Sequence, residues 1–245
     1  MAKKNLPSIT GIIDCACVIH GSGYTWTYVE RLYNMLSRVF SGQIRFHVYT
    51  EHDRSVPPHM IKHCLDDWGI SGPKRSWWYK MQLFNPAHHS GNLLYLDLDV
   101  VIARELDFVR NLDTRCLWGI RDFRYLQNRN PGLMNSSMMW WNVDAFASVY
   151  RDFVSSSIDS AIRRYPGDQD YLSAKIPPEN RRFFDDRYFE SYRWQCLDGG
   201  YDFARRTYKT PNSGVVIQPE TAVIVFHGQP KPHQVTHSSI VELWK

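Results

Sequence analysis

The sequence lacks a long uninterrupted hydrophobic run. Its longest apolar stretch, residues 93–102, is interrupted by Asp97 and Asp99 and falls short of the roughly 20 residues that a membrane-spanning helix requires. Two lysines near the N-terminus are not followed by an apolar segment of the kind that signal peptides contain. These absences predict a chain with no transmembrane segment that works in the cytoplasm.

Paired cysteines and several common catalytic signatures are also missing. The 5 cysteines are scattered and form no C-x-x-C pair, which is unlike a secreted disulfide scaffold and predicts reduced thiols. No G-x-S-x-G, G-x-x-x-x-G-K-[ST] or H-E-x-x-H occurs, so serine hydrolases, P-loop enzymes and zincins lose their usual support. Charge of one sign is not dominant either: a net charge of +4 permits an anionic partner without requiring one.

Hydrophobic and aromatic residues are plentiful. With 245 residues, 43% of them hydrophobic and 22% charged, the composition is typical of a globular protein, and we expect a single domain over residues 1–245. The sequence contains 9 Trp, 14 Tyr and 12 Phe. Such large flat side chains suit the faces of sugars and bases as well as hydrophobic cores.

Helical and strand patterns alternate along the chain. An apolar run is followed by a glycine-containing loop, a segment with helical spacing and an alternating strand pattern, which predicts a β-α-β unit. The predicted strands are residues 9–19, 44–50, 93–96, 116–120, 137–141, 215–217 and 222–226. The predicted helices are residues 24–40, 77–84, 168–174 and 143–162, the last as one helix or a pair. This order predicts an α/β fold whose central sheet is mostly parallel and flanked by helices, with ligands beyond the carboxyl ends of the strands.

Asp97 and Asp99 form the strongest local signal, because they interrupt an otherwise apolar strand. Burying unpaired carboxylates costs several kcal/mol unless a cation or hydrogen bonds compensate. Alternation along a regular strand would place both on one face, and at a strand end both can reach one divalent cation. Two solvated loop aspartates are the alternative interpretation.

The sequence Tyr95-Leu96-Asp97-Leu98-Asp99 resembles the metal-binding strand of nucleotide-sugar glycosyltransferases with the GT-A fold. It is similar in particular to the retaining branch that contains bacterial lipopolysaccharide galactosyltransferases and glycogenins, and to related bacterial proteins. The resemblance implies a single Rossmann-like GT-A domain. It also implies that Asp97 and Asp99 bind Mn²⁺ or Mg²⁺ and that the donor diphosphate lies beside them.

Other residues fit the same family pattern in the expected order. By resemblance, Lys80 reaches the donor sugar or diphosphate, and Asn135, which precedes two serines, lies where a sugar approaches the backbone. Asp168 would bind the donor sugar, with Gln169 near its reactive face. The simpler interpretations are a surface lysine for Lys80, a turn before a core strand for Asn135 and a helix N-cap for Asp168.

Near the C-terminus, the resemblance implies that His227 completes the metal site and that Lys231 binds the donor phosphates. The spacing departs from the family pattern, because family members often have extra residues between His and Lys and an aromatic residue after Lys-Pro, whereas here His233 follows Pro232. A zinc site of His227, His233 and His237 matches no closed spacing pattern and is disfavoured.

Three further segments have weaker interpretations. Tyr24, after the first strand, either stacks on a uracil or packs against the following helix. By resemblance, residues 190–194 lie where the family has a Ser-Tyr-basic stretch, and we expect them to contribute to the binding of one of the two substrates. His88 and His89 precede Gly91 in a polar loop and are expected at the surface.

The resemblance implies transfer of a hexosyl or pentosyl group from a nucleotide-sugar, with UDP-sugars favoured, to an acceptor hydroxyl with retention of configuration. We expect a bacterial surface glycan as the acceptor, at the inner face of the membrane. A phage-type DNA glycosyltransferase acting on a hydroxymethylated base and a non-catalytic nucleotide-sugar binding module remain open. Candidate DNA contacts are Arg121, Arg124, Arg129, Arg181, Arg182, Arg205, Arg206 and Lys209.

Overall fold

A computed structural model describes residues 11–70, 76–129, 131–197, 201–202, 204–205, 207–208 and 214–245. Within these ranges the helices are α1 (Trp26–Val39), α2 (Ala147–Ser155), α3 (Ile158–Arg164), α4 (Asp168–Lys175) and α5 (Ser238–Leu243). The strands are β1 (Ile13–Val18), β2 (Ile44–Thr50), β3 (Ile61–Cys64), β4 (Asn92–Leu96), β5 (Val100–Ile102), β6 (Leu117–Arg121), β7 (Met134–Asn142), β8 (Arg181–Phe183), β9 (Phe189–Ser191), β10 (Tyr201–Asp202), β11 (Thr207–Tyr208) and β12 (Val223–Val225).

The central sheet has 7 strands in the order β3-β2-β1-β4-β7-β6-β8. Strand β1 pairs in parallel with β2 and β4, β2 with β3, and β6 with β8, whereas β7 is antiparallel to both of its neighbours. The expectation of a mostly parallel central sheet flanked by helices is therefore confirmed. Strands β1, β4 and β6 run in one direction, so their carboxyl ends meet at the same edge of the sheet.

A second sheet brings the C-terminal part of the chain to that edge. It has 3 strands in the order β5-β12-β9, and Val225 of β12 lies opposite Val100 of β5 and beside Ser191 of β9. The backbone N–H of Phe226 donates to the carbonyl of Asp99 at 3.2 Å. The residues that follow β12 are thereby held next to the turn that joins β4 to β5.

Hydrophobic side chains cover both faces of the central sheet. Helix α1 buries one face on the side of Leu94 and Leu96, as its helical spacing predicts. On the other side, Leu93 and Tyr95 pack with side chains from β7, α2 and α4. Because the side chains of β4 alternate between two apolar layers, its register is strongly specified.

The carboxyl end of the predicted strand 93–96 is confirmed, and one other strand prediction needs correction. Strand β4 ends at Leu96 and β5 begins at Val100, so Asp97 and Asp99 lie in the turn at the strand end and not along one regular strand. The turn lets both buried carboxylates reach polar partners without opening a sheet. The predicted strand at residues 215–217 is wrong, because Val215 forms only an isolated bridge with Leu197, and three residues without a neighbouring strand cannot build a ladder.

The remaining differences are shifts of element boundaries. Strand β7 begins at Met134, so Asn135 lies within the strand and not in a turn before it. Of the two arrangements predicted for residues 143–162, the structure has the helix pair: α2 and α3 are separated near Ser157, whose φ is 66°. None of the helices in the described ranges has the length and hydrophobicity needed to cross a bilayer.

We predict that Leu94→Ala lowers the free energy of unfolding by about 2–5 kcal/mol, because it empties space in the centre of a close-packed core. Leu94 is 0% exposed, whereas Leu126 is 36% exposed. Leu126→Ala is therefore the control and should change stability by no more than about 0.5 kcal/mol. Urea unfolding of both variants measures the difference, and equal effects would contradict the described packing of β4.

Candidate active site

A cavity of about 720 Å³ opens at the sheet edge where the carboxyl ends of β1 and β4 meet. The residues that the sequence singled out as site candidates all line it, although they come from distant parts of the chain. They are Tyr24, Lys80, Asp97, Asp99, Asn135, Asp168, Gln169, His227 and Lys231. The fold therefore brings the predicted site residues together at one place.

Lys80 lies at the centre of the first polar cluster. Its Nζ is 2.8 Å from Asp97 Oδ1 and 3.5 Å from Asp168 Oδ2, and it donates to Ser136 Oγ at 3.2 Å. The Tyr95 hydroxyl donates to the same oxygen of Asp97 at 2.5 Å. Lys80 is only 7% exposed, so it is not an ordinary surface lysine.

Opposing effects act on the pKa of Lys80. Burial alone would lower this pKa, but attraction to Asp168 and Asp97 outweighs burial and raises it. Burial likewise tends to raise the pKa of Asp97, and the Lys80 ammonium holds it below its usual value. Lys80 therefore stays charged and keeps Asp97 ionised.

The segment that carries Lys80 forms the predicted short helix, and it is a 3-10 helix over Ser76–Phe84. Trp78 in this segment stacks on Phe153 of α2 with ring centroids 5.6 Å apart. The segment ends before Asn85-Pro86, as predicted, because proline disfavours helical geometry in the residue that precedes it. The buried aromatic residues next to Lys80 hold the backbone of this segment in place. The ammonium of Lys80 therefore points towards the carboxylates of Asp97 and Asp168.

Asp99 forms the second polar cluster. The Tyr24 hydroxyl donates to Asp99 Oδ2 at 2.7 Å, and Lys231 Nζ donates to the same oxygen. Burial first, and then the nearby charge of Asp97, raise the pKa of Asp99, although Lys231 and Tyr24 act in the opposite direction. Tyr24 also packs edge-on against Tyr28 of α1 at 4.9 Å, in agreement with the packing alternative for this residue.

His227 is held by polar and aromatic neighbours. Its Nε2 lies 2.5 Å from Ser191 Oγ, its ring stacks with Phe123 at 5.6 Å, and Trp194 meets it edge-on at 4.5 Å. Burial, followed by repulsion from Arg193, lowers the pKa of His227 to about 4. The imidazole is therefore neutral near pH 7, which is the form that binds metal ions. Ser191 belongs to the 190–194 stretch that the sequence marked.

The start of α4 contributes Asp168 and Gln169. Gly167 occupies the N-cap position, so Asp168 is not the cap; its carboxylate instead accepts a hydrogen bond from Ser136 Oγ. Gln169 Nε2 donates to Asp122 Oδ2 at 3.1 Å. The helix start thus places one residue against the Lys80 cluster and the next against Asp122.

Asp122 and Arg124 were not identified as site residues from the sequence. Arg124 Nε donates to Asp122 Oδ1 at 2.8 Å, and both residues line a smaller cavity of about 270 Å³ that shares Asn135 and Gln169 with the first. A usable signal was present, because Asp122 directly follows β6 and polar residues at the carboxyl ends of parallel strands converge at ligand sites. Arg124 appeared only among the candidate DNA contacts.

The donor atoms around Asp97 and Asp99 suit a divalent cation. Two carboxylates and one neutral imidazole form a mixed oxygen and nitrogen set that Mn²⁺ accepts. Within the described ranges, Asp97, Asp99 and Asp168 pair with two ammonium groups, those of Lys80 and Lys231, so three carboxylates share two cations there. Burial, and after it the neighbouring charge of Asp97, raise the pKa of Asp99 within this cluster.

The ligand atoms of Asp97, Asp99 and His227 are nevertheless not gathered into a tight set. Among the residues that the structure describes, the group of three metal-ligating side chains whose ligand atoms all lie within 4.8 Å of one another is a different one. Lys80 contacts Asp97, Lys231 contacts Asp99, and Ser191 contacts His227. Binding a metal at this site therefore requires these side chains to exchange partners.

The disfavoured zinc site at the C-terminus is not assembled. His227 contacts Ser191, His233 Nδ1 contacts the Tyr28 hydroxyl, and His237 Nδ1 contacts Ser239 Oγ at 2.8 Å. The three imidazoles therefore have separate partners.

The basic residues considered for DNA binding are largely engaged with the protein itself. Arg121 pairs with Asp186 at 3.0 Å, and Arg124 pairs with Asp122. Arg206 and Lys209 lie outside the described residues. The paired arginines fit the interpretation of a charge-balanced surface.

We predict that Lys80→Met lowers the free energy of unfolding by about 3–5 kcal/mol, because it leaves buried carboxylates without their cation. Adding Asp168→Asn should restore part of that loss, since it removes one of the unpaired charges. Lys175→Met, at an exposed position, is the control and should have little effect. Chemical denaturation of the four proteins measures these changes; a Lys80→Met variant as stable as the control would contradict the charge network.

Comparison with solved structures supports the fold. No protein-family model and no curated protein matches the sequence. The galactosyltransferase LgtC, in complex with donor and acceptor sugar analogues, is 15% identical with a TM-score of 0.65, covering 94% of this chain and 95% of LgtC. The glycosyltransferase GlyE of Streptococcus pneumoniae is 15% identical with a TM-score of 0.64, covering 90% of this chain and 56% of GlyE.

A third similar structure comes from a eukaryote. Mouse xyloside xylosyltransferase 1 is 13% identical with a TM-score of 0.54, covering 89% of this chain and 98% of the mouse protein. At these identities the similarity concerns the fold and not the substrate. The predicted fold is confirmed: this chain has the GT-A fold of glycosyltransferases.

Proposed function

We propose that this protein is a metal-dependent glycosyltransferase that moves a hexosyl or pentosyl group from a nucleotide-sugar, with UDP as the favoured nucleotide, to an acceptor hydroxyl. The observation that carries the proposal is the convergence of Asp97, Asp99 and Asp168 with two lysines on one cavity at the carboxyl edge of a GT-A sheet. Each buried carboxylate there is held by a side chain that a charged ligand could displace.

The donor diphosphate would bind beside the turn that contains Asp97 and Asp99. These two residues and His227 would hold Mn²⁺ or Mg²⁺, and the ion when bound supplies positive charge that favours departure of the nucleoside diphosphate. Lys231 would then turn from Asp99 towards the donor phosphates, where its ammonium stabilises the growing negative charge. The Tyr24 hydroxyl, which donates to Asp99, keeps that carboxylate oriented.

The transferred sugar would lie between Lys80 and the start of α4. Lys80 and Ser136 fix the carboxylate of Asp168, which can then accept hydrogen bonds from sugar hydroxyls. Gln169, held by Asp122 at 3.1 Å, would lie next to the reactive face of the sugar. Asn135 orients the backbone of Ser137 through a hydrogen bond of 2.9 Å, which keeps this part of β7 open to the sugar.

The acceptor would enter through the smaller cavity, where Phe123 and Trp194 surround His227. Flat aromatic faces suit sugar rings, so a glycan is the favoured acceptor, and the complex of the similar LgtC with donor and acceptor sugar analogues agrees with two sugar subsites. Retention of configuration, a bacterial surface glycan and action at the inner membrane face belong to the proposal through the sequence resemblance.

The two alternatives have less support. DNA as the acceptor would require cationic side chains free for phosphate contacts, and Arg121 and Arg124 are paired with carboxylates. A non-catalytic binding module has no need for Asp168 and Gln169 in addition to the carboxylates that hold the donor. Both alternatives become outcomes of a donor and acceptor screen with Mn²⁺.

We predict that Asp99→Asn lowers kcat/KM for metal-dependent release of nucleoside diphosphate by about 10²–10³, because it removes a ligand of the metal ion that would stabilise the charge growing on the donor phosphates. Chelation with EDTA should abolish the wild-type reaction and added Mn²⁺ should restore it. The assay measures released UDP across a panel of UDP-sugars. Asp159→Asn, at an exposed position of α3, is the control for carboxylate loss; activity of Asp99→Asn equal to this control would refute the proposed metal site.

We predict that Trp194→Ala raises KM for the acceptor and leaves KM for the donor nearly unchanged. Loss of one aromatic contact of about 0.5–1.5 kcal/mol corresponds to an increase of about 2–10-fold. Steady-state kinetics with each substrate varied separately measure both constants. An equal increase for donor and acceptor would show that the smaller cavity is not an acceptor subsite.

A further inference from the structure

A cluster of metal-ligating side chains lies outside the cavity. Asp14 of β1, His47 of β2 and His89 of the loop before β4 bring their ligand atoms within 4.8 Å of one another. His47 is 5% exposed, and Asp14 and His89 are partly buried. The proposed glycosyl transfer uses none of these residues.

The cluster lies towards the opposite end of the strands from the cavity. Asp14 is the second residue of β1, whereas Val18 at the end of the same strand lines the cavity. They are four residue steps apart along an extended strand, a distance of about 13 Å. His89 similarly precedes β4, whose far end leads to Asp97. The cluster is therefore a separate site.

Hydrogen bonds already orient the polar atoms of His47 and Asp14. His47 Nε2 is 2.7 Å from Asp14 Oδ1, and His47 Nδ1 is 2.8 Å from His63 Nε2. The guanidinium of Arg45 donates to the other carboxylate oxygen, Asp14 Oδ2, at 2.5 Å. Metal-bound histidines and carboxylates are usually held in this way by hydrogen bonds through their second polar atom.

Hydrogen bonding alone does not explain why the ring of His89 lies against His47. Its ring meets His47 edge-on with centroids 4.9 Å apart, while its own hydrogen-bond contact, from Nε2 to the carbonyl of Asn92, is long at 3.4 Å. The polar sequence of this loop predicts that His88 and His89 lie at the surface, but both residues are partly buried. The loop turns them inward towards the histidines of β2 and β3.

We propose that Asp14, His47 and His89 bind a zinc ion. Two imidazoles and one carboxylate are a ligand set that Zn²⁺ accepts, with water in the fourth position. Imidazole ligands favour Zn²⁺ over Mg²⁺ and Mn²⁺, which prefer oxygen ligands. The site thus differs in its metal preference from the carboxylate-rich site proposed in the cavity.

Binding requires only small changes in the cluster. His47 would present the Nε2 lone pair to the ion and carry its N–H on Nδ1, directed at His63 Nε2. Asp14 would use Oδ1 for the ion and keep Oδ2 on Arg45. The ion would tie the loop before β4 to β1 and β2, so it acts as a structural clamp on one side of the central sheet.

The test uses the full chain with Asp97→Asn and Asp99→Asn, so that the cavity carboxylates no longer contribute ligands. Calorimetric titration with Zn²⁺ alone should give one ion per chain in this background, and Mn²⁺ should bind at least 10-fold more weakly. Adding His89→Ala should weaken Zn²⁺ binding by at least 10-fold. His88→Ala is the matched control, because it removes the adjacent imidazole and should leave Zn²⁺ binding unchanged.

A spectroscopic measurement makes the result independent of the calorimetry. Co²⁺ substituted for Zn²⁺ should give a tetrahedral ligand-field spectrum in the His88→Ala background that is lost on His89→Ala, with circular dichroism showing that both variants are folded. Absence of Zn²⁺ binding in the double carboxylate variant, or equal binding with and without His89, would overturn the proposal. Either outcome leaves the proposed glycosyl transfer untouched, since that depends on the cavity.

Discussion

The constraint on which the site depends is the charge buried in the turn between β4 and β5. Asp97 and Asp99 leave the apolar core at this turn, and neither can remain ionised there without cationic partners. Lys80 and Lys231, which are far apart in the sequence, are drawn to these carboxylates. The second sheet holds its C-terminal strand against the turn, and this pairing is what delivers Lys231 and His227 to the same place.

The same charge pattern links stability to the proposed function. In this cluster two lysines pair with three carboxylates. The ion pairs offset most of the buried negative charge and leave room for one more cation. Such a site suits a diphosphate that binds together with a metal ion. The metal ion can take the place of a lysine beside the carboxylates, and the lysine can then contact a phosphate. The GT-A fold places that cluster at the edge where strands of one direction end, which is where α/β sheets bind ligands.

Much of this could be predicted from the sequence, because the signals are local. The β-α-β order, the mostly parallel sheet and the clustering of residues such as Asp97 and Asp168 follow from periodicity and from a family motif. The pairing of Lys80 with Asp97 and of Lys231 with Asp99 could not, since it depends on which distant segments the fold brings beside the turn. Asp122 could have been found from its place directly after β6, whereas the Asp14–His47–His89 cluster could not, because its members are brought together only by strand pairing and loop packing. The single domain over residues 1–245 and the roles of the site residues remain predictions.

The most direct test of the central claim is anomalous diffraction at the manganese edge from crystals grown with Mn²⁺ and UDP. We predict one strong peak beside the carboxylates of Asp97 and Asp99, adjacent to the UDP phosphates, with Lys231 turned from Asp99 to those phosphates. UDP bound at the cavity with no manganese peak beside Asp97 and Asp99, or UDP bound elsewhere on the molecule, would contradict it.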